Sequence, residues 1–237
     1  MENVTFKVFR FDSTTGDPPR FQSYEVPATP GLTVIMGLVW IQQNLDGSLA
    51  FRSSCRAGVC GSCAMHINGR YRLACETQVA AMGSSITIRP LGHMPIVRDL
   101  ITDMTAFWAK YKAIKPYLIP GAPPPEKEYI QSPAERLKLD QVIDCILCAT
   151  CTATCTVAAM APDYLGPAAL AKAARFMLDS RDHGGTERLE LVSGEGGVWR
   201  CHTIFNCSKL CPRDVEPASG IAELKRKALW HRMGGNV

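Results

Sequence analysis

Eleven cysteines stand in three groups, and their spacings are those of thiolates that hold iron and sulfide. Cys55, Cys60, Cys63 and Cys75 follow C-x4-C-x2-C-x11-C, and Cys145, Cys148, Cys151 and Cys155 follow C-x2-C-x2-C-x3-C. Cys201, Cys207 and Cys211 follow C-x5-C-x3-C, with Pro212 directly behind. Thiolate-bound iron changes oxidation state with little rearrangement, and its potential is set by charge, hydrogen bonds and burial. Three such centres in one chain would serve to pass electrons in series.

The first group has the plant-type ferredoxin spacing of a [2Fe–2S] cluster. Its loop, SSCRAGVCGSC, places Gly58 and Gly61 where backbone must wrap a cluster and aim amides at sulfur. Arg52 and Arg56 stand close enough in sequence to offset the negative charge of four thiolates. Zinc is the alternative, since four cysteines also bind it tetrahedrally, although zinc sites usually pair two C-x2-C knuckles and only one is present here.

The second group is the bacterial ferredoxin run, in which the fourth cysteine serves the other cluster of a pair. Cys145, Cys148 and Cys151 then take Cys211 as partner, which completes the ligands of a [4Fe–4S] cluster. Cys155 joins Cys201 and Cys207, and the register calls for one more cysteine three residues after Cys201. That position is Ile204. A cubane short of one thiolate readily loses an iron, so the spacing predicts a [3Fe–4S] cluster on Cys155, Cys201 and Cys207. The alternative is a [4Fe–4S] centre whose last iron takes water, His202 or Asn206.

Around these groups the chain has the composition of a folded protein. Its 237 residues are 46% hydrophobic and 20% charged, with a net charge of +4. The basic residues are scattered, so no nucleic-acid partner is expected. The odd cysteine count and an N-terminus that reads as a strand argue for reduced thiols in the cytoplasm, not a secreted disulfide framework. The longest apolar stretch, near Leu32–Ile41, is well short of the roughly 18 residues of a membrane span.

The elements that must position the cysteines fall into two kinds. Val4, Phe6 and Val8 read as one strand and Phe21, Tyr24 and Val26 as a second, joined through the turn-rich STTGDPPR. Thr33 can cap an amphipathic helix carrying Val34, Leu38, Ile41 and Leu45, which Asp46-Gly47 ends. Asn68-Gly69 is a hairpin signal between Met65–Ile67 and Tyr71–Leu73, and Ile86 and Ile88 supply a last strand. Six prolines fall within 112–133, including the run Pro123–Pro125, as in a linker or wrapping arm. Beyond it the pattern is helical at Ala168–Leu178 and Ile221–Trp230, and the two later cysteine groups resemble an imperfect repeat. The expected class is α+β: a plant-type ferredoxin (β-grasp) domain at 1–105, a linker at 106–133, and an all-α, bacterial-ferredoxin-like domain at 134–237.

The segments AFRSSCRAGVCGSCAMHINGRYRLAC, DCILCATCTATC, YLGPAAL and CHTIFNCSKLCP resemble the iron–sulfur subunit of succinate dehydrogenase and fumarate reductase, and the likeness covers essentially the whole chain. The resemblance implies partners: a flavoprotein carrying FAD and the dicarboxylate site, and a membrane-anchor cytochrome b with haem b and a quinone. It also implies a peripheral position on the cytoplasmic face of the cell membrane. After Cys155, ubiquinone-linked members usually carry proline and then a tryptophan, where this chain reads Thr156, Val157, Ala158, Ala159, Met160. That departure resembles the menaquinone-linked fumarate reductases. The match puts His202 and Ile204 near the quinone end, with Met160 on the surface facing the anchor. A backbone-bonded helix-end histidine and ordinary core packing are the respective alternatives. Two other classes have different signatures. A non-catalytic iron–sulfur adaptor would carry two complete bacterial motifs and no plant-type domain; a zinc-stabilised interaction module would be colourless.

Overall fold

Alternation of apolar and polar residues builds the first sheet. In β1 (Asn3–Arg10), Val4, Phe6 and Val8 are buried while Asn3 and Lys7 face solvent. The computed structural model describes residues 3–121, 123 and 125–235. Pro124, within the proline run singled out above, lies outside the described residues. The strands β2 (Arg20–Pro27) and β1 pair antiparallel, with Phe6 opposite Tyr24, as the turn-rich joint between them predicts. Thr33 caps α1 (Val34–Asn44) by accepting from the Met36 amide. Gly37 lets that helix lie on the sheet, because a Cβ there would sit 2.3 Å from the Phe6 ring. The Asn68-Gly69 turn, at φ of 43° and 80°, joins β3 (Ala64–Ile67) to β4 (Arg70–Leu73).

Long-range pairing adds what local pattern cannot. The strand β5 (Ser85–Arg89) runs parallel to β1 and antiparallel to β3, giving the order β2-β1-β5-β3-β4. A mixed sheet crossed by one helix is the β-grasp arrangement expected. Ile86 and Ile88 are not in the last strand: β6 (Ile96–Arg98) and β7 (Ile101–Thr102) form a short second sheet. Between them Asp99, almost fully buried at φ 45°, accepts from Arg10 Nε at 3.0 Å, the Phe11 amide at 3.0 Å and the Ala50 amide at 2.9 Å. Arg10 also donates to Ser48 Oγ and pairs with Asp46, which the Tyr24 hydroxyl joins. This network braces the segment entering the first cysteine loop. Two residues on from Ala50, Arg52 donates to the Thr102 carbonyl at 2.7 Å.

The remaining elements are helical. They are α2 (Thr105–Ala113), α3 (Pro133–Leu137), α4 (Asp140–Ile143), α5 (Thr150–Ala153) and α6 (Thr156–Met160). Then come α7 (Gly166–Met177), α8 (Gly185–Val192), α9 (Asn206–Lys209) and α10 (Pro217–Arg232). Contacts divide the chain into two units: the chain up to Met104 with Ile146–Ala153, and Thr105–Cys145 with Thr154 onward. In the second unit α10 packs on α7, and a Cβ on Gly220 would lie 3.1 Å from Ala174 Cβ and 3.2 Å from Val142 Cγ1. Leu170, Ala173, Ala174, Leu189, Ile221 and Leu224 fill its core.

Part of the proline-rich stretch is tied to that core by a buried cation. Arg188, fully buried, pairs with Asp182 and donates to the Lys115 and Tyr117 carbonyls. Asp182 in turn accepts from the Ile119 amide at 3.0 Å. The second unit contains no strand among the described residues, in accord with the expected all-α class. No helix among the described residues is long and apolar enough to cross a membrane.

Candidate metal centres

The first loop surrounds its sulfurs with backbone donors. The amides of Ala57, Val59 and Cys60 donate to Cys55 Sγ at 3.4, 3.3 and 3.3 Å. The Gly58 amide donates to Cys75 Sγ at 3.3 Å, and the Cys55 amide to Cys60 Sγ at 3.5 Å. Positive φ at Arg56, Gly58 and Gly61 (56°, 70° and 71°) turns these amides inward, forming an anion-holding nest. The β3–β4 hairpin delivers the other two thiols, with Cys63 immediately before β3 and Cys75 just after β4. Ser62 hydroxyl and loop amides pull the Cys60 thiol down to about 6, while burial pushes Cys63 up to about 12. Four thiols with amides aimed at their sulfurs suit an anionic thiolate-bound cluster.

The two later groups share a backbone signature that their side chains conceal. Leu147 and Ala149, at φ 56° and 63°, flank Cys148, and Thr203 and Phe205, at φ 56° and 64°, flank Ile204. Non-glycine residues rarely adopt this region, so two matched pairs at the same distance from Cys145 and Cys201 mark one loop built twice. Ile204 therefore occupies the register of Cys148. In the first unit, Cys148 packs against the plant-type loop: a Cβ on Gly61 would lie 2.8 Å from Cys148 Cα. In the second unit, burial raises the Cys211 thiol, and the charge of nearby Cys145 adds to it.

Cys155, Cys201 and Cys207 line one recess with Ile204, His202 and Tyr164. Cys155 sits at the N-terminal end of α6, Cys201 follows a short turn at Val198–Arg200, and Cys207 lies in α9. Burial pushes the Cys207 thiol up to about 11, with the Cys201 charge next in effect. Ile204 is 47% exposed and Met160, at the end of α6, is 85% exposed, so Met160 is not core packing. His202 is exposed at the recess, as Ile204 is, while Asn206 is half-buried. Among the described residues, no three Cys, His, Asp or Glu side chains close on a single metal ion.

Three features at this site escaped sequence reasoning. Tyr164, within the quoted YLGPAAL segment, is buried against the recess, and burial together with the Cys201 and Cys155 sulfurs raises its hydroxyl pKa. Lys225 on α10 donates to the Cys201 carbonyl at 2.8 Å. The paired left-handed residues had no glycine to announce them.

Such loops, one of plant type on a β-grasp sheet and two of bacterial type among helices, define an iron–sulfur protein with a ferredoxin domain and a dicluster domain. Residues 5–109 match the 2Fe-2S iron–sulfur cluster binding domain family, and residues 141–215 match the 4Fe-4S dicluster domain family. The chain is 43% identical to the succinate dehydrogenase iron–sulfur subunit of Paracoccus denitrificans, over 93% of this chain and 86% of that one. It is 40% identical to the fumarate reductase iron–sulfur subunit of Mycobacterium tuberculosis, over 98% and 96% respectively. The Mycobacterium smegmatis Sdh1 complex in the apo form contains a chain that superposes with a TM-score of 0.89 at 26% identity, covering 100% of this chain and 99% of that one. The chain belongs to the family of succinate dehydrogenase and fumarate reductase iron–sulfur subunits, and is part of an oxidoreductase complex.

Proposed function

We propose that this subunit relays electrons between FAD in a flavoprotein partner and a quinone held at a cytochrome b membrane anchor. The observation that carries the reading is the repeated left-handed pair around Cys148 and Ile204, which puts an aliphatic side chain where a thiolate belongs. Cys55, Cys60, Cys63 and Cys75 hold a [2Fe–2S] cluster; Cys145, Cys148, Cys151 and Cys211, by ferredoxin register, hold a [4Fe–4S] cluster. Cys155, Cys201 and Cys207 hold a [3Fe–4S] cluster. The clusters supply one-electron steps at potentials graded from flavin to quinone. The chain's own share is to bind each cluster, direct amides at its sulfurs and bury it unequally.

Ile204 and His202, exposed at the three-cysteine recess, and Met160, exposed at the end of α6, form the side turned towards the anchor on the cytoplasmic face of the membrane. The tryptophan-free run Thr156–Met160 favours menaquinone, hence quinol oxidation coupled to fumarate reduction. Succinate oxidation is the second reading, favoured by the 43% identity to a succinate dehydrogenase subunit.

A redox titration of the purified complex, followed by electron spin resonance, tests the assignment together with iron, sulfide and zinc analysis. Three centres of distinct type are expected, the [3Fe–4S] signal appearing on oxidation. Zinc in place of iron and sulfide would overturn it. Turnover with menaquinol and fumarate, compared with succinate and ubiquinone, decides the direction.

A further inference from the structure

We propose that Thr150 sets the reduction potential of the centre that Cys148 serves by donating a hydrogen bond from its hydroxyl to the Cys148 sulfur. The proposal rests on the assignment of Cys148 as a [4Fe–4S] ligand and extends it to a side chain that holds no iron.

Thr150 Oγ1 lies 3.1 Å from Cys148 Sγ, and Thr150 is 0% exposed. A buried hydroxyl requires a partner, and the sulfur supplies it. Between a hydroxyl and a free thiol either atom can donate. A thiolate bound to iron has no proton, so with the cluster in place Thr150 is the donor. Backbone fixes both members of the pair. Cys148 stands between Leu147 and Ala149, at φ 56° and 63°. Its Cα would lie 2.8 Å from a Cβ on Gly61, so it packs directly on the plant-type loop. Thr150 opens α5, where the Thr152 and Ala153 amides donate to the Ala149 carbonyl at 3.0 and 2.9 Å. All of these residues belong to the first unit. The repeat supplies a contrast: Thr150 and Asn206 hold the same place in the two loops, five residues after Cys145 and Cys201. Because Ile204 stands where Cys148 does, the three-cysteine centre has no sulfur at that register position to receive such a bond.

An O–H directed at a ligand sulfur draws electron density from it. The reduced cluster carries one more negative charge than the oxidised one, so the bond stabilises the reduced form more and raises the potential. Burial without such a donor acts the other way, because desolvation disfavours the more highly charged state. Thr150 thus makes the [4Fe–4S] centre easier to reduce, from whichever end of the relay the electron arrives. No electron or proton leaves Thr150; it acts through Cys148 as a positioning residue.

The test is Thr150→Val in the assembled complex, since Val keeps the branched shape and exchanges only the hydroxyl for a methyl. In a spin-resonance redox titration the midpoint of the [4Fe–4S] centre should move to lower potential, while those of the other two centres stay in place. Thr150→Ser keeps the donor and should titrate close to the wild type. An unmoved midpoint in the Val variant overturns the proposal. So does a Ser midpoint lowered as far as the Val one, because packing and not the hydrogen bond would then be the cause. Should Val cost the cluster, Thr150→Ala must show the fall, and an unmoved midpoint there overturns the proposal too. Failure of the ligand assignment is seen separately: the wild-type complex would show no [4Fe–4S] signal before any substitution, and the proposal would fall with it.

Discussion

Gly61 offers the sharpest measure of how tightly the plant-type loop is packed. Its φ of 71° costs any residue with a Cβ about 1–2 kcal/mol. The Cβ of Gly61→Ala would also meet Cys148 Cα and Cβ at 2.8 Å and the Ile146 carbonyl at 2.9 Å. Carbon pairs rest at roughly 3.5–4.0 Å, so backbone has to give by close to an ångström, an overpacking cost of about 1–3 kcal/mol. The sum is about 2–5 kcal/mol by these rules. Gly69 is the control: its φ is 80°, but nothing lies within 4 Å of its Cβ position. Gly69→Ala should therefore cost only the conformational part, about 1–2 kcal/mol. Gly58→Ala falls between, because the obstacle at 2.1 Å is the movable end of the Glu76 side chain. Urea titrations of the complex, read by visible circular dichroism of the [2Fe–2S] centre, should rank the losses Gly61, Gly58, Gly69. Equal losses at Gly61 and Gly69 would refute the packing argument.

Ile204→Cys should restore the missing thiolate and capture a fourth iron, so the oxidised [3Fe–4S] spin signal disappears; its persistence would contradict the register. Arg188→Met leaves Asp182 charged and buried and strips the Lys115 and Tyr117 carbonyls of their donor. Breaking one side of such a pair costs about 3–5 kcal/mol, to be read as a lowered urea midpoint of the second unit's helical signal. Asp46 is held well below the usual carboxylate range, chiefly by the Ser48 hydroxyl, with Tyr24 and Arg10 adding. A depressed folded pKa contributes stability that is present above the unfolded value of about 4 and is lost as pH falls through the folded one. Acid unfolding of the first unit should thus begin below about pH 4, and Asp46→Asn, measured by urea midpoints against pH, should flatten that limb while lowering stability at neutral pH.

What the sequence made legible was local. Thr33 caps its helix, Asn68-Gly69 turns its hairpin, and Val4, Phe6 and Val8 alternate into the sheet because short-range rules decide those positions. The cysteine register singled out Ile204, and left-handed residues stand on either side of it. The rest depended on partners far apart in the chain. Asp99 reaches Arg10 across 89 positions, and no local pattern announces a buried carboxylate between two very short strands. Arg52, read as a charge offset for the cluster, is engaged with the Thr102 carbonyl. Leu147, Ala149, Thr203 and Phe205 adopt a glycine-like conformation without being glycine, so composition hid the repeated loop. Tyr164 stood only within the YLGPAAL segment, and the folded core alone shows it buried at the three-cysteine recess.

The grouping of Ile146–Ala153 with the sheet bears on biosynthesis. A nascent chain emerges from the ribosome in order, and domains generally fold as they are completed. Here the N-terminal strands leave the tunnel early, yet α5, which packs on β4, arrives only after the proline-rich stretch and the first cysteines of the next motif. A fragment ending at Met104 would carry every strand found among the described residues and still lack its final piece. The first unit is complete only once the chain up to Ala153 has emerged, so truncation after the sheet would leave an unfinished product.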